Sequence, residues 1–299
     1  MTTLRRTSKT RAAAVGLALL VAALVDRAAA QVPPAGDDRH GRVFYVDGAG
    51  GGGALVNWSP GVFSGLRQAG FDGTFSEFVW QTGLGIGFDH VSSVAYKRSK
   101  ARELAEQVTA YRQTEPDSPI DIIALSAGTA VATYALEALP PECAVDDVVF
   151  LSPSLSAQYD LTAALRRLRG HLHVFASSND AMLGLMVPLA GTADRRFCGH
   201  AVAGLTGFEL RTGDDAESVL LYEKVQTVFW NPGFASSGYY GGHTDVASAR
   251  FVCKYVAPVL RTDPGLAFAT ASSAVVTPAW ASNLHVNRPP TLDREALRR

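Results

Sequence analysis

Short β-branched apolar runs alternate with longer helical patterns along most of this 299-residue chain. This alternation is typical of a mainly parallel sheet whose connecting helices cover both faces. We therefore predict an α/β fold, with a mainly parallel twisted sheet and helices on both faces, over residues 42–260. The predicted strands are 42–47, 75–81, 120–125, 147–151, 171–176 and 220–229, and the predicted helices are 90–113, 127–139, 161–168 and 245–260.

The first thirty residues have the three-part layout of a secretory signal peptide. Four basic residues precede the apolar stretch 12–25, and Ala28-Ala29-Ala30 forms an Ala-x-Ala cleavage site. We predict cleavage after Ala30 and export, to the periplasm or the medium; the alternative is an uncleaved segment that tethers the protein to a membrane. Residues 31–41 are interpreted as a polar leader and residues 261–299 as a C-terminal tail.

Charge excludes several classes of partner. The chain has 27 basic and 28 acidic side chains, and removal of residues 1–30 leaves 22 and 27, a net charge of −5. Such a balance gives no basic surface for nucleic acid and no attraction to anionic lipid. No apolar run reaches the ~18 residues that span a bilayer, so we predict no stable membrane insertion after signal cleavage.

Three cysteines remain after the predicted cleavage site: Cys143, Cys198 and Cys253. They lack the spacing of a metal site. An oxidising compartment permits one disulfide, and the sequence leaves all three pairings open. Otherwise we interpret them as small buried residues.

The segment 121–136 carries the strongest chemical signal. An apolar strand runs directly into Ser126 and then into a helix, with the small residues Ala124 and Gly128 two positions away on either side. A sharp strand-to-helix turn of this kind presents a strained serine as a nucleophile, with the following helix directed at developing negative charge. The alternative is a serine that caps an ordinary crossover helix.

A nucleophilic serine needs a base, and the base needs an orienting acid. Asp180 follows the strand 171–176, and His243 follows the last predicted strand. We predict Ser126, His243 and Asp180 as the catalytic residues. Asp160 is an alternative acid, and His200 is a weaker candidate base.

Glycines at 48–53 follow the first strand and supply an oxyanion-binding loop. One donor is predicted to be the Ala127 amide, and the other the amide of Ala49 or Gly50. The same glycines match a dinucleotide-binding fingerprint, but that fingerprint needs a helix to begin at once. Here Pro60 suits a first helical turn several residues later.

His171 and His173 alternate along a strand and face one side of it. Without a third ligand, we interpret them as a satisfied pair rather than a metal site. The predicted chemistry needs no metal and no cofactor.

The order of glycine loop, IIALSAGTA turn, SSND turn and GGHTD loop over residues 42–260 resembles the α/β-hydrolase superfamily, including exported bacterial members. The resemblance implies a serine hydrolase of esterase or lipase type acting on a small-molecule or lipid ester. The chain departs from the family pattern in Ala124 for the usual first glycine, in Asp47-Gly48 for a common His-Gly, and in lacking room for a large cap domain between 151 and 171.

Two further interpretations stay open. Residues 181–217 are not assigned, and the apolar side chains at 182–189 either wall an acyl pocket or complete the core; we favour the core. The chain could also be a binding protein that keeps a hydrolase fold without catalysis. Three catalytic elements in order at strand ends favour an active enzyme.

Overall fold

The computed structural model describes residues 36–53, 56–210 and 215–260. The predicted signal peptide (1–30), the start of the predicted leader and the C-terminal tail (261–299) lie outside the described residues. Among the residues described, none of the helices is both long and apolar enough to cross a bilayer.

Six strands form one parallel sheet, which confirms the predicted fold class. The strands follow the order β2-β1-β3-β4-β5-β6 across the sheet. They are β1 (Arg42–Val46), β2 (Thr74–Phe78), β3 (Ile120–Leu125), β4 (Val148–Leu151), β5 (Leu172–Ala176) and β6 (Val225–Phe229).

Helices connect the strands in the described chain. They are α1 (Ser59–Gln68), α2 (Ile86–Val91), α3 (Val94–Thr114), α4 (Gly128–Ala138), α5 (Thr162–Leu165), α6 (Ala181–Ala190), α7 (Ala203–Thr206) and α8 (Ala216–Tyr222). A C-terminal helical segment over 245–259 combines short 3-10, α and π turns. The only helix described between β4 and β5 has four residues, in keeping with the short connection there.

The sheet is covered on both faces, and alternate residues of each strand enter two separate cores. On β3, Ile122 and Ala124 face a core formed with α3, α4, α5 and α8. Ile123 and Leu125 face the other core, formed with α1 and the C-terminal helical segment. Because β3 is buried on both faces, all of its residues except Asp121 are apolar.

The strand order reverses direction beside β1. The connection after β1 runs through α1 on one face, and the connection after β3 runs through α4 on the other. In open parallel sheets, this divergence leaves a crevice outside the carboxyl ends of the two strands, where ligands bind. Residues 47–53 and Ser126 lie at those two strand ends.

The predicted helix 90–113 is two helices, α2 and α3, with a break at Ser92 and Ser93. The buried Lys97 ammonium donates hydrogen bonds to the carbonyls of His90 (2.9 Å) and Ser92 (2.8 Å). The Ser93 hydroxyl caps α3 by accepting from the Tyr96 amide. These contacts satisfy the backbone at the break, so a periodic sequence does not continue as one helix.

The last predicted strand begins too early. Residues 220–222 belong to α8, and β6 starts at Val225. The Asp215 side chain accepts from the Ser218 amide at 2.7 Å and caps α8. A cap and a seven-residue helix therefore override the β-branched and apolar composition of this segment.

The three cysteines are free thiols in this structure, with Cys143 buried and the other two half-buried. The predicted alternative of one disulfide is not formed. Cys198 instead donates to the Ala201 carbonyl at 3.1 Å.

Candidate active site

Ser126 occupies a strained turn between β3 and α4. Its φ angle is +53°, in the left-handed region that non-glycine residues rarely adopt. The Ser126 amide donates to the Leu151 carbonyl at the end of β4, which anchors the turn to the sheet. A Cβ at Gly128 would lie 2.4 Å from the Asp47 carbonyl oxygen, so only glycine lets α4 approach β1 this closely.

The glycine loop after β1 lies directly against this turn. A Cβ at Gly48 would lie 3.2 Å from the Ser126 Cβ. Glycine at this position therefore brings backbone amides close to the serine hydroxyl. The dinucleotide alternative is wrong on geometry, because α1 begins only at Ser59.

The Asp47 carboxylate accepts four hydrogen bonds that hold the glycine loop in place. Its Oδ1 accepts from the Tyr45 hydroxyl (2.9 Å) and the Gly48 amide (2.8 Å). Its Oδ2 accepts from the amides of Gly52 (3.2 Å) and Trp58 (3.1 Å). One buried carboxylate thus fixes the start, the middle and the exit of the loop.

Burial raises the pKa of Asp47 from its ordinary value of 3.8 to about 6, although hydrogen bonds from Trp58, Tyr45 and Gly48 oppose the shift. Since the folded pKa lies above the unfolded value, the folded state binds more protons between these two pH values. The stability that Asp47 contributes is therefore full below about pH 4 and declines as the pH rises through about 6.

Asp47→Asn is expected to remove this pH dependence, which amounts to about 3 kcal/mol between pH 4 and 7. Urea unfolding of both proteins at several pH values measures it. As the pH rises, the unfolding free energy of wild type should fall relative to that of the variant. The contributions of all other titrating groups are the same in both proteins and drop out of this difference. Parallel curves for the two proteins would contradict the raised pKa.

The loop amides divide into two groups. The Gly50 amide donates to Asp89 Oδ2 at 2.8 Å, and Asp89 Oδ1 accepts from the Thr82 amide and hydroxyl. The amides of Ala49 and Ala127 donate to no acceptor among the described residues. Of the two alternatives for the second donor, Gly50 is thus already engaged by Asp89.

The structure brings together the three residues predicted as catalytic. His243 Nε2 lies 2.7 Å from Ser126 Oγ, and His243 Nδ1 lies 2.6 Å from Asp180 Oδ2. All three side chains are buried. With the Nδ1–H directed at the carboxylate, Nε2 is left to accept the serine proton.

An aromatic cluster fixes the loop that carries His243. Phe234, Tyr239, Phe251 and Tyr255 pack together with ring centroids 4.6 to 6.1 Å apart. Packing of this kind contributes about 0.5 to 1.5 kcal/mol for each pair beyond simple burial. It ties the loop after β6 to the C-terminal helical segment.

Hydrogen bonds complete the support of the histidine loop. The Ser177 hydroxyl after β5 donates to the Gly241 carbonyl at 2.8 Å. The Trp230 indole donates to the Tyr239 carbonyl, and Asp245 Oδ2 accepts from the Tyr240 amide. The Ser177–Gly241 hydrogen bond therefore joins the loops after β5 and β6 two residues before His243.

Asp180 has two contacts, one for each carboxylate oxygen. While Oδ2 faces His243, Oδ1 accepts from the Leu183 amide at 3.0 Å and caps α6. The sequence leaves 181–190 unassigned because Gly184 and Pro188 weaken the helical pattern. The cap and the burial of Leu183 explain why a helix forms.

The alternative residues lie elsewhere. Asp160 Oδ1 accepts from the Thr162 amide at the start of α5. His200 is an exposed residue in the connection before α7. Neither joins the cluster of Ser126, His243 and Asp180.

Sequence reasoning missed two residues that organise the site. Asp89 binds the glycine loop from 39 positions away, and the Trp80 indole donates to the Asp47 carbonyl at 2.7 Å. In the sequence, Asp89 stands out as the acidic residue of a mainly apolar segment, 84–91, and Trp80 as a tryptophan just after a strand. The sequence does not show which residues they contact.

The apolar residues of α6 divide between core and solvent. Leu183 and Val187 are buried, as the favoured interpretation requires. Four others are exposed, contrary to it, with exposed fractions of 42–73%: Met182, Leu185, Met186 and Leu189. Their spacing of i, i+3, i+4 and i+7 places them on one face of α6, different from the face that carries Leu183 and Val187.

A second exposed apolar segment lies next to α6. It comprises Leu84, Ile86, Phe88 and Val91, at and before α2. His90 Nε2 contacts the Gly191 carbonyl at 2.8 Å and joins the two segments. A Cβ at Gly50 would collide with Ile86, so this segment borders the glycine loop. We call the exposed apolar side chains at 84–91 and 182–189 the apolar rim.

No family model matches the chain, and no curated protein matches its sequence. Solved structures do match. Lipase B from Aspergillus fumigatus is 11% identical with a TM-score of 0.43; the match covers 75% of this chain and 54% of that one, so the chain spans about half its length. A lipase-esterase related protein from Clostridium acetobutylicum is 11% identical with a TM-score of 0.42, covering 75% and 96%.

The fold and the local turn, taken on their own geometry, agree with the resemblance given by the sequence. A parallel sheet carries a strained serine after β3, an acid after β5 and a histidine after β6. That is the chain order of nucleophile, acid and base in α/β-hydrolases. The chain is thus consistent in fold with the α/β-hydrolase superfamily.

Proposed function

We propose that the protein is a serine hydrolase that cleaves carboxylic esters. The single observation that carries this proposal is the continuous contact from Ser126 Oγ through His243 to Asp180, at 2.7 and 2.6 Å, on a serine with φ +53°. A buried serine, histidine and aspartate in this relation form the arrangement that activates a serine as a nucleophile.

Catalysis would proceed in two acyl transfers. His243 Nε2 takes the proton of Ser126 as Oγ attacks the ester carbonyl, and then donates it to the leaving alcohol as the C–O bond breaks. Water next attacks the acyl-serine, its proton passes to His243, and the carboxylic acid leaves as the proton returns to Ser126. Asp180 orients the imidazole and stabilises its charged form.

The oxyanion would bind to backbone amides at the crevice. We assign its donors as Ala127, at the start of α4, and Ala49 in the glycine loop. The Gly50 amide is the weaker alternative because Asp89 already accepts from it. Two preorganised donors stabilise the tetrahedral intermediate in a site from which water is largely excluded.

The direct test is labelling of the purified protein with a fluorophosphonate probe, followed by peptide mapping. The proposal expects covalent modification of Ser126 and none in Ser126→Ala. A folded protein that the probe does not modify would overturn the proposal in favour of a binding protein with a hydrolase fold.

The apolar rim supports an ester with an apolar acyl or alcohol chain. One segment approaches the glycine loop at Ile86, and the other directly follows Asp180 in the chain, so each segment adjoins one part of the candidate site. Apart from buried Asp89, residues 84–91 and 181–191 contain no acidic residue, lysine or arginine. A chain leaving the ester would therefore meet apolar side chains, whose burial favours binding.

Leu185→Gln and Leu189→Gln are each expected to lower kcat/KM for long-chain esters roughly fivefold, the equivalent of about 1 kcal/mol of lost apolar contact. Short-chain esters and the melting temperature should change little, because both side chains are more than 60% exposed. Kinetics on p-nitrophenyl esters of increasing chain length measure this effect.

Leu220→Gln is the matched control, since Leu220 is similarly exposed but lies on α8, which leads into the amino end of β6, whereas the triad residues follow the carboxyl ends of strands. It should leave the chain-length profile unchanged. Equal losses on short and long esters, or the same loss in Leu220→Gln, would remove the rim from substrate binding. We further propose, from the N-terminal sequence, that the enzyme acts after export.

A further inference from the structure

The far end of the sheet, opposite the triad, holds a second cluster of polar side chains. Asp147 immediately precedes β4, His171 immediately precedes β5, and His173 is the second residue of β5. In the register of these strands Val148 pairs with Leu172 and Val149 with His173. Asp147 and His171 therefore face each other at the amino ends of neighbouring strands.

Each of these three residues offers one ligand atom, and the three atoms lie within 4.8 Å of one another. Two imidazoles and a carboxylate are the donors that zinc prefers when no thiolate is present. The sequence pattern shows no third ligand beside His171 and His173, so on sequence alone the two histidines are interpreted as a satisfied pair. Asp147 is that third ligand, and the pairing of β4 with β5 brings it close to them.

The carboxylate of Asp147 is held in place by its surroundings. Its Oδ1 accepts from the His171 amide at 2.6 Å, and its own amide donates to Asp121 Oδ1 at 3.0 Å. A Cβ at Gly170 would lie 2.2 Å from Asp147 Oδ1, so glycine makes room for this oxygen. Such fixed partners orient a ligand before an ion arrives.

The burial of two of these side chains and the partial exposure of the third also suit ion binding. Asp147 and His173 are buried, and Asp121 beside them is a second buried carboxyl group. A divalent cation would offset the negative charge of the buried Asp147 carboxylate in this low-dielectric position. The His171 side chain is 27% exposed, so solvent reaches one of the three ligands, and a water would complete a four-coordinate ion.

We propose that Asp147, His171 and His173 form a zinc-binding site that joins β4 to β5. In a tetrahedral site, nitrogen and oxygen ligands lie about 3.3 Å apart. His171 Nδ1 and Asp147 Oδ1 are 4.0 Å apart, so ion binding requires these two atoms to approach by about 0.7 Å. The site lies at the amino ends of these strands, and the triad follows strands at their carboxyl ends, so the ion would take no part in the proposed ester hydrolysis.

The test is zinc binding by the purified protein after treatment with a chelator, using calorimetry and metal analysis of the dialysed protein. The proposal expects one Zn²⁺ per chain and a melting temperature that rises with zinc. His173→Gln and His171→Gln should each weaken binding by at least about 100-fold, since loss of a direct ligand exceeds the 10–100-fold cost of losing an outer partner.

His200→Gln is the control, because His200 is exposed and lies in the connection before α7, outside the strands that carry the three ligands. If His173→Gln fails to fold, His171→Gln still decides the question, since its side chain is partly exposed. Cobalt substitution identifies the ligands, because thiolates of the three cysteines would add a sulfur charge-transfer band that imidazole and carboxylate do not. No stoichiometric zinc, or equal binding by His171→Gln and wild type, would overturn the proposal. Probe labelling of Ser126 is measured separately, so either proposal can fail alone.

Discussion

Ser126→Ala is expected to lower kcat for ester hydrolysis by about three orders of magnitude or more while leaving the fold intact. The hydroxyl is the atom that forms the acyl-enzyme, and its removal leaves only oxyanion binding and substrate positioning. Alanine retains the Cβ and the backbone amide that donates to Leu151. The measurements are steady-state kinetics on a soluble ester and a thermal melt.

Ser154→Ala is the matched control. Ser154 lies near the same turn, where its amide donates to the Ser126 carbonyl, and its buried hydroxyl has no hydrogen-bond partner among the described residues. Removal of that hydroxyl should change kcat by less than about twofold. Activity of Ser126→Ala within tenfold of wild type would show that another group is the nucleophile.

The sequence predicts the sheet well because its signals are local. Strand β3 matches its predicted bounds, since the segment between Pro119 and Ser126 is apolar apart from Asp121 and has no competing helical period. The turn at Ser126 is equally local, because the small residues that it needs lie two positions away. Right-handed connections between parallel strands then explain why α1 and α4 lie on opposite faces, since the chain moves in opposite directions across the sheet from β1 and from β3.

Contacts between distant residues could not be read in the same way. The Lys97 ammonium ends α2 by binding carbonyls, and Asp89 closes the glycine loop across 39 positions. A sequence contains these residues but not their partners. The same holds for Asp147, which becomes a neighbour of His171 only through the pairing of β4 with β5.

The candidate site is an intermediate case. Ser126, Asp180 and His243 each follow a strand, and parallel strands place such residues at one edge of the sheet. That reasoning brings the three residues near one another without fixing their contacts. The aromatic cluster and the Ser177–Gly241 hydrogen bond set the final distances. Composition alone does not predict that support.

Asp180→Asn is expected to lower kcat by about three to four orders of magnitude. The amide can place its NH₂ group against Nδ1 and so favour the tautomer that carries its proton on Nε2. A protonated Nε2 cannot accept the proton of Ser126, although the geometry is retained. Because the remaining amide oxygen still accepts from the Leu183 amide, α6 keeps its cap and the melting temperature should change little.

Asp180→Ala separates the two contacts of this side chain. It removes the imidazole partner and the cap together, so it should lose similar activity and about 1 kcal/mol of unfolding free energy as well. Chemical denaturation and kinetics on both variants measure the separation. If Asp180→Asn destabilises the protein as much as Asp180→Ala, the asparagine side chain does not cap α6. If Asp180→Asn keeps kcat within tenfold, Asp180 does not orient His243 in the reaction, and another acid must.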